Sequence, residues 1–403
     1  MGLIVQKFGG SSVKNAERIF NVAKIVTDTY SAGNDVIVVV SAQGDTTDDL
    51  LDKAHEISAR PSKRELDVLL SAGEQISSSL LAMAIEKMGY NAVSLTGWQA
   101  GFLTDRTHSN ARIRRIETER LRSEIEKRKI VIVAGFQGIN RNDDISTLGR
   151  GGSDTSAVAI AAAMKADICQ IYTDVDGVYT ADPRIVKSAI KLEEITYDEM
   201  LELSSLGAQV LHNRSVEMAK KFDIKLEVLS SLTKAPGTMV KEVTKMEKML
   251  VKGIARDDHI VKFTIKNLQN VPGIAFKIFS AIAGKKINVD IIVQTAANSA
   301  NLMDMSFTTH EENAELAQEV LGNLLPGFGN GVYIERDDDL SKVSVVGSGM
   351  QTNAGIAARM FETLADNQIN INTISTSEIK ISVLIARVDS TKAVVALHDS
   401  LIQ

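Results

Sequence analysis

Short apolar runs rich in β-branched residues alternate with helical stretches over the first 240 residues of the chain. The runs cover residues 3–8, 35–41, 92–95, 130–136 and 169–173. Such runs separated by helices predict an α/β domain whose largely parallel sheet is sandwiched by helices. Glycines and polar residues cluster where several of these strands end, and open α/β sheets bind their ligands along that edge. We therefore expect a binding site there.

The pattern changes near residues 235–238, which read Ala-Pro-Gly-Thr, and a charged stretch follows before the next apolar run. This is the predicted end of a first domain that covers residues 1–240. Beyond it, the order strand, helix, strand, strand, helix, strand predicts a ferredoxin-like βαββαβ domain over residues 260–338. Its six elements are expected at residues 261–265, 273–284, 289–295, 303–309, 312–325 and 332–336.

A second copy of this domain is predicted over residues 341–403. Glycine, aromatic and asparagine landmarks recur at one offset of 82 residues, whereas helix amphipathicity alone would repeat only the apolar positions. The recurring pairs are Gly273-Ile274-Ala275 with Gly355-Ile356-Ala357, Phe279 with Phe361, and Ile287-Asn288 with Ile369-Asn370. The second copy lacks its last strand. We expect the β-rich run at residues 249–255 to complete its sheet, because an unpaired edge is a liability.

Composition and charge exclude several classes of partner. The chain has 403 residues, of which 44% are hydrophobic and 24% charged, with a formal net charge of -6. Lysine and arginine are spread along the chain, so neither nucleic acid nor an anionic membrane is an expected partner. No segment is expected to act as a signal peptide or to be long enough to span a bilayer. The single cysteine and six scattered histidines predict neither a disulfide nor a metal site, and the expected compartment is the cytoplasm.

The first strand ends in Lys7-Phe8-Gly9-Gly10-Ser11-Ser12 and then enters a helix. Backbone amides and a helix N-terminus beside a lysine can form a cradle for phosphate. The alternative is a tight glycine turn with a solvated lysine. The segment is neither a Walker A loop nor a Rossmann fingerprint.

A second glycine-rich helix start reads Leu148-Gly149-Arg150-Gly151-Gly152-Ser153-Asp154-Thr155. Arg150 can hold a carboxylate with two hydrogen bonds, whereas Asp154 taken alone could be only an N-cap. Two such loops that follow strands in one domain favour a binding site over two structural turns.

A third segment, residues 173–184, follows a strand and contains three aspartates. It could be a surface loop or a calcium site, but it lacks the final glutamate of an EF-hand loop, and its tyrosine and arginine suit a nucleotide better. Glu74, Ser41 and Thr47 are weak evidence individually, because helix starts and polar loops often carry such residues.

Together, residues 7–12, 148–155 and 173–184 resemble the signature segments of aspartate kinases in the amino-acid kinase family. The resemblance covers essentially the whole chain. It includes residues 94–101 and 133–138, and the two C-terminal copies resemble a pair of ACT domains. The match to the monofunctional, lysine-pathway type is close.

The resemblance implies phosphoryl transfer from ATP, bound as its Mg²⁺ complex, to the side-chain carboxylate of aspartate, with no tightly bound cofactor. A carboxylate is already ionised at pH 7, so the reaction needs in-line placement and charge neutralisation rather than a general base. By this resemblance the catalytic residues are Lys7 and Asp154. ATP is expected at Lys7, Phe8, Gly9, Gly10, Thr173, Asp174, Tyr179 and Arg184, and aspartate at Ser41, Thr47, Glu74, Arg150, Gly151, Gly152, Ser153 and Asp154. Glu74 is the expected partner of the substrate ammonium and Arg150 of either substrate carboxylate, while Asp154 orients Lys7 or the magnesium–ATP complex.

The ACT-like copies imply feedback inhibition by lysine, threonine or both, and assembly into a homo-oligomer. The expected effector residues are Asn270, Gly273, Ile274, Ala275, Asn288, Val289, Asp290, Gln294, Asn370, Ile371, Ser377 and Glu378. Of these, Asp290 and Glu378 are the expected partners of effector ammonium groups. The alternative is that these segments only hold subunits together. Relatives of this type sometimes make a shorter subunit from an internal start, for which Met246 or Met249 is suitably placed.

Four positions depart from the family pattern. Asn213 stands where proline is usual, Leu229 where arginine is usual and Asn270 where aspartate is usual, while Gln209 occupies a position that is lysine in some members. They affect expectations about loops, nucleotide affinity and effector more than the reaction class. The competing interpretations are a kinase of the same fold with another anionic acceptor, and a non-catalytic amino-acid sensor.

Overall fold

The computed structural model describes residues 2–205, 210–242, 249–350 and 355–402. The chain forms two compact units. The first consists of Met1–Tyr179 and Ile190–Glu247, and the second of Thr180–Ala189 and Lys248–Gln403.

The first unit contains twelve described strands and seven described helices. In chain order they are β1 (Leu3–Phe8), α1 (Ala16–Ser31), β2 (Asp35–Val40), α2 (Thr46–Ile57), α3 (Lys63–Lys87), β3 (Ala92–Leu95), β4 (Phe102–Thr104), β5 (Ile113–Ile116), α4 (Glu119–Glu126), β6 (Ile130–Ala134), β7 (Gln137–Ile139), β8 (Ile145–Thr147), α5 (Gly152–Met164), β9 (Ile168–Thr173), β10 (Glu194–Thr196), α6 (Tyr197–Ser205), α7 (Asn213–Phe222), β11 (Leu226–Ser230) and β12 (Thr238–Lys241).

Eight of these strands form the main sheet, in the order β10-β12-β11-β9-β1-β2-β6-β3. Neighbouring strands are parallel except β11 and β12, which are antiparallel. The predicted parallel sheet is therefore confirmed, and the five predicted runs form β1, β2, β3, β6 and β9. A smaller sheet, in the order β5-β4-β7-β8, consists of strands of three or four residues.

Alternation along β1 decides which face of the sheet each side chain reaches. Phe8 is fully buried in an apolar cluster that also contains Val22 of α1 and Leu81 of α3. Lys7 therefore points to the opposite face, where α5 packs against β1. Because the five residues from Val36 to Val40 in the neighbouring strand β2 are also fully buried, both faces of the sheet are covered.

Helix α3 has 25 residues and is long and apolar enough to cross a membrane, so the expectation that no segment reaches that length is wrong. Its packing explains the composition, since half of its apolar stretch is buried within the protein. It also carries two buried carboxylates, Asp67 and Glu74, that accept hydrogen bonds from the protein. These features are those of a core helix.

The second unit contains eight described strands and four described helices. They are β13 (Gly253–Asp257), β14 (Ile260–Gln269), α8 (Ile274–Gly284), β15 (Ile292–Gln294), β16 (Leu302–His310), α9 (Ala314–Leu324), β17 (Tyr333–Asp337), β18 (Leu340–Val346), α10 (Ile356–Asp366), β19 (Thr373–Thr376), β20 (Lys380–Ala386) and α11 (Ser390–Leu401). The strands form two four-stranded antiparallel sheets, β15-β16-β14-β17 and β13-β18-β20-β19.

The internal repeat is visible in this unit, where α8 begins at Ile274 and α10 at Ile356, 82 residues apart. Strand β13 pairs with β18 and lies at the edge of the second sheet. The segment Thr180–Ala189 also belongs to this unit, although the predicted first domain, 1–240, includes it. Ala181 and Val186 explain this placement, because both are buried in the apolar core of the second sheet.

Candidate active site

A cleft of about 330 Å³ lies at the carboxyl edge of the main sheet in the first unit. Its walls come from the ends of β1, β2 and β6, from α2 and α3, and from the start of α5. The lining residues are Lys7, Gly9, Gly10, Ser41, Thr47, Glu74, Phe136, Gly149, Arg150, Gly151, Gly152, Ser153 and Asp154. The structure thus brings together all eight residues expected around aspartate and three of the eight expected around ATP.

Lys7 and Asp154 form an ion pair inside this cleft. The Nζ atom of Lys7 lies 2.6 Å from Oδ1 of Asp154, and each side chain is 12% exposed. The pair brings a cation to the end of β1 and holds it in place from the first turn of α5.

The glycine-rich loop before α5 is shaped by close packing. Gly151 has a φ of 64° and is the N-cap of the helix, so Asp154 occupies its first turn and is not the N-cap. A Cβ on Gly151 would lie 2.2 Å from the ring of His212, which leaves no room for a side chain. Burial lowers the pKa of this His212 ring below its usual value, so it is neutral at pH 7. The loop therefore presents Arg150 and backbone groups to the cleft.

The segment after β1 differs from the expected helix start. Residues Gly10–Ser12 form a single 3₁₀ turn, and α1 begins only at Ala16, with Asn15 as its N-cap. The side chain of Asn15 accepts a hydrogen bond from the backbone N–H of Arg18, so the side chain caps the helix itself. The N-terminus of α1 is therefore not part of the expected phosphate cradle, and Lys7 and backbone amides remain its candidate groups.

Glu74 is a buried carboxylate in the cleft with little compensation for its charge. Its side chain is 4% exposed; Oε1 accepts a hydrogen bond of 3.1 Å from the backbone N–H of Ala42, and Oε2 is buried without a hydrogen-bond partner. Burial raises the pKa of this carboxyl from 4.5 to about 7, although the amide hydrogen bond opposes the shift. Because an ionised carboxylate favours a cationic neighbour, a substrate ammonium would relieve this cost.

The other residues expected around the nucleotide do not line this cleft. Phe8 is buried and stacks on Tyr172 with ring centroids 4.6 Å apart. The hydroxyl of Thr173 accepts from the backbone N–H of Val175 at 2.9 Å, and Thr173 also lies within 3.4 Å of the exposed Asp174.

Tyr179 and Arg184 have partners within their own units. The Tyr179 hydroxyl donates to Asp176 at 2.8 Å, which raises the pKa of the phenol. Arg184 belongs to the second unit, where its guanidinium pairs with Asp182 at 2.8 Å. The nucleotide role of these two residues stays a prediction.

The residues expected around the effector lie on the loops and edges of the second unit. Asn288, Gln294, Ser377 and Glu378 are exposed. Asp290 is also exposed, but it already has a cationic partner, since Oδ2 lies 2.5 Å from Nζ of the buried Lys342. The remaining expected residues are Asn270, Gly273, Ile274, Ala275, Val289, Asn370 and Ile371, of which Gly273 is the N-cap of α8. An effector ammonium at Asp290 would therefore compete with Lys342.

The structure explains how two departures from the family pattern are accommodated. Asn213 is the first residue of α7, a position where proline is also tolerated. Leu229 lies in β11 and packs on the apolar cluster around Phe8. The amide of Asn270 donates to the carbonyl of Asn301 at 2.9 Å, and Gln209 lies outside the described residues.

Sequence reasoning did not assign Phe136 and Gly149 to the site, although both line the cleft. Phe136 has a φ of 68°, which is unusual for an aromatic residue, and its backbone N–H donates to Ser156 of α5 at 3.0 Å. The available signal was the segment Gly135-Phe136-Gln137-Gly138 directly after a buried strand.

Two protein-family models match the chain. The amino acid kinase family model matches residues 2–230, and an ACT domain model matches residues 266–324 and 343–401. An aspartokinase from Bacillus sp. (strain MGA3) is 53% identical over 401 residues, which represent 99% of this chain and 97% of that protein.

Solved structures of aspartate kinases are similar as well. The enzyme from Synechocystis is 42% identical, with a TM-score of 0.56 and coverage of 99% of this chain and 69% of that one. E. coli aspartokinase III, solved in complex with lysine and aspartate in the T-state, is 25% identical, with a TM-score of 0.76 and 100% of both chains covered. The similarity thus includes both units of this chain.

Proposed function

This chain belongs to the amino acid kinase family and, within it, to the aspartokinases; on that premise we propose that it transfers the γ-phosphoryl group of ATP to the side-chain carboxylate of aspartate. The product is 4-phospho-L-aspartate, the first intermediate on the route to lysine, threonine and methionine. The observation that carries the proposal is that Lys7, Glu74, Arg150 and Asp154 line one cleft. A site for an α-amino acid and a phosphate donor needs these charges together.

The groups that line the cleft are suited to this reaction. An oxygen of the aspartate side chain attacks the γ-phosphorus, the bond from that phosphorus to the bridging oxygen breaks, and ADP leaves. No proton has to be removed, because the attacking carboxylate is ionised at pH 7. Magnesium enters with ATP as part of the substrate. Lys7 neutralises charge on the transferring group, and Asp154 orients its ammonium from 2.6 Å away.

The amino-acid end of the substrate has two proposed partners. Glu74 receives the ammonium, because its buried carboxylate has an unpartnered oxygen and its pKa is raised by burial. Arg150 receives a carboxylate from the exposed side of the cleft. Ser41 and Thr47, which follow β2, supply hydroxyls next to them.

Regulation and assembly belong to the second unit in this proposal. Lysine, threonine or both bind the ACT-like domains and favour an inhibited arrangement, with Asp290 and Glu378 as the proposed ammonium partners. Typical coupling between two such sites is about 1–3 kcal/mol. The proposal includes a homo-oligomer held by these domains, a shorter subunit that starts at Met246 or Met249, and a cytoplasmic location.

The test is incubation of the purified protein with magnesium–ATP, hydroxylamine and either aspartate or glutamate. Aspartate should give an acyl hydroxamate together with stoichiometric ADP, and glutamate should give little of either. ADP without hydroxamate would indicate another acceptor. If neither amino acid stimulates ADP release, the proposed activity is wrong.

A further inference from the structure

Asp67 is a buried carboxylate that the proposed chemistry does not use. It lies on α3, is fully buried, and accepts hydrogen bonds from groups of two other segments. Thr147 Oγ1 donates to Oδ1 at 2.7 Å, the backbone N–H of Ser109 lies 3.0 Å from both oxygens, and Nδ1 of His108 lies 2.9 Å from Oδ2. Because each oxygen of Asp67 accepts more than one hydrogen bond, the carboxylate holds Thr147, Ser109 and His108 in fixed positions.

The groups that Asp67 holds are next to the loop that presents Arg150. Thr147 ends β8, two residues before Gly149, and its carbonyl accepts from the backbone N–H of Ala111 at 2.8 Å. The carbonyl oxygen of Ser109 lies 3.1 Å from the place where a Cβ of Gly149 would be. Both segments therefore abut the start of the loop.

Ser109 itself adopts an unusual conformation. Its φ is 64°, in the left-handed region that costs energy for residues with a side chain. Such a conformation persists only when surrounding contacts impose it, and Asp67 supplies the acceptor for the Ser109 amide. From the side of α7, Arg214 donates to the carbonyls of Leu148 and Ala111 at 2.8 and 2.7 Å.

Helix α3 connects this anchor to the proposed ammonium partner. Asp67 and Glu74 are seven residues apart, which corresponds to about 10.5 Å along the helix and nearly the same face. The N-terminal part of this helix holds the segments next to the loop that carries Arg150, and the middle of the helix carries Glu74. The helix thus sets the spacing between the two groups that would grip the substrate.

We propose that Asp67 is a positioning residue that fixes the distance between Glu74 and the Arg150 loop and so lets the site distinguish aspartate from glutamate. The inference rests on the proposed function. The two substrates differ by one methylene, and a site rejects the longer one only if its walls cannot move apart. When the anchor is lost, the loop can shift and the longer substrate is accepted.

The experiment compares four variants of the full-length protein in steady-state kinetics with aspartate and glutamate. Thr147→Val removes one donor to Asp67 without changing charge or size, Thr147→Ser keeps that donor, and Asp67→Asn alters the acceptor itself. Glu124→Gln is the matched control. Glu124 is another buried carboxylate, it pairs with Lys129, and it does not line the cleft. The Tm of each variant is also measured by thermal unfolding.

We expect Thr147→Val to raise the KM for aspartate about tenfold and to lower the aspartate-to-glutamate ratio of kcat/KM about tenfold, with the KM for ATP within about twofold. Asp67→Asn should change the KM for aspartate and this ratio more than Thr147→Val does, and Thr147→Ser should change them little. Glu124→Gln should lower Tm and leave the ratio unchanged.

The outcomes distinguish a failure of the proposed function from a failure of the positioning role of Asp67. A wild type without aspartate-dependent activity would refute the proposed function. An active wild type whose ratio is the same in Thr147→Val and Asp67→Asn, despite lower Tm values, would overturn the positioning role and leave Asp67 as a structural residue. If Asp67→Asn does not fold, Thr147→Val decides alone.

Discussion

Replacement of Glu74 by glutamine tests the central claim about the cleft, because it keeps the shape of the side chain and removes its charge. The folded-state pKa of Glu74 is raised from 4.5 to about 7, so the folded chain binds this proton more tightly than the unfolded chain. The stability from this proton is fully present below pH 4.5 and is lost as pH rises through 7. At 1.36 kcal/mol per pKa unit, the ionised side chain costs about 3 kcal/mol at pH 8.

The variant has no such pH dependence at this position. The buried amide has its own cost, because the atom that replaces Oε2 has no partner among the described residues, but that cost is the same at every pH. The diagnostic quantity is therefore the change with pH in the stability difference between variant and wild type. Between pH 5 and pH 8 this difference should move by about 2–3 kcal/mol in favour of the variant.

Calorimetric melts at pH 5, 6, 7 and 8 measure this change, and a domain of this size should show it as about 5–10 °C in Tm. Glu124→Gln is the control of opposite sign. The hydrogen bond from Lys129 lowers the pKa of Glu124, so that variant should lose stability at neutral pH and recover relative to wild type as the pH falls. Stability effects common to both variants cancel.

Kinetics supply the second half of the test. At pH 8, Glu74→Gln should weaken aspartate by about 1–3 kcal/mol and leave the KM for ATP nearly unchanged, because only aspartate carries the ammonium. In the wild type, kcat/KM for aspartate should fall about tenfold per pH unit below pH 7, and the variant should lack this break. A pH-independent stability difference, or equal losses for both substrates, would refute the reasoning.

Three further predictions concern the loop, the cation and the regulatory unit. Lys7→Met should lower kcat at least about a hundredfold while the protein still folds, and near-normal turnover would remove Lys7 from the mechanism. Gly151→Ala should abolish activity and lower Tm, whereas Gly33→Ala, also at positive φ but in open space, should cost only about 1–2 kcal/mol; similar melts would argue against the steric clash. Asp290→Ala should relieve inhibition in titrations with lysine, threonine and their mixture without lowering uninhibited activity, and Lys342→Met should make inhibition stronger because it removes the internal partner of Asp290. Unchanged titration curves in both variants would remove Asp290 from the effector site.

The sequence predicted those parts of the fold that depend on local patterns of residues. Continuous apolar runs become the buried strands of the main sheet, and the repeated landmarks become the matching starts of α8 and α10. The smaller sheet in the first unit was not predicted, because strands of three residues such as Phe102–Thr104 have no readable periodicity. The start of α1 was also misplaced, since Asn15 caps the helix five residues beyond the glycines that suggested it.

The site residues divide in the same way. Lys7, Arg150 and Asp154 stand in glycine-rich segments after strands, so local chemistry identified them as candidates. Asp67 could not be found in this way, because an aspartate in a long helix is usually solvated, and its partners Ser109 and Thr147 come from 42 and 80 residues along the chain. Only the fold brings those donors to one carboxylate.

The charges in the cleft are balanced unequally, and this has a consequence for the two substrates. Lys7 already has an anionic partner in Asp154, so ATP phosphates must share a cation that is compensated before they arrive. Glu74 has no cationic partner among the described residues, so an incoming ammonium gains an interaction without displacing one. Aspartate binding should therefore lower the pKa of Glu74 and release close to half a proton at pH 7, whereas ATP binding should not titrate this group. Calorimetric titration with aspartate in two buffers of different ionisation enthalpy measures the released proton directly, and an apparent enthalpy that does not change with buffer would contradict the pairing of Glu74 with the substrate ammonium.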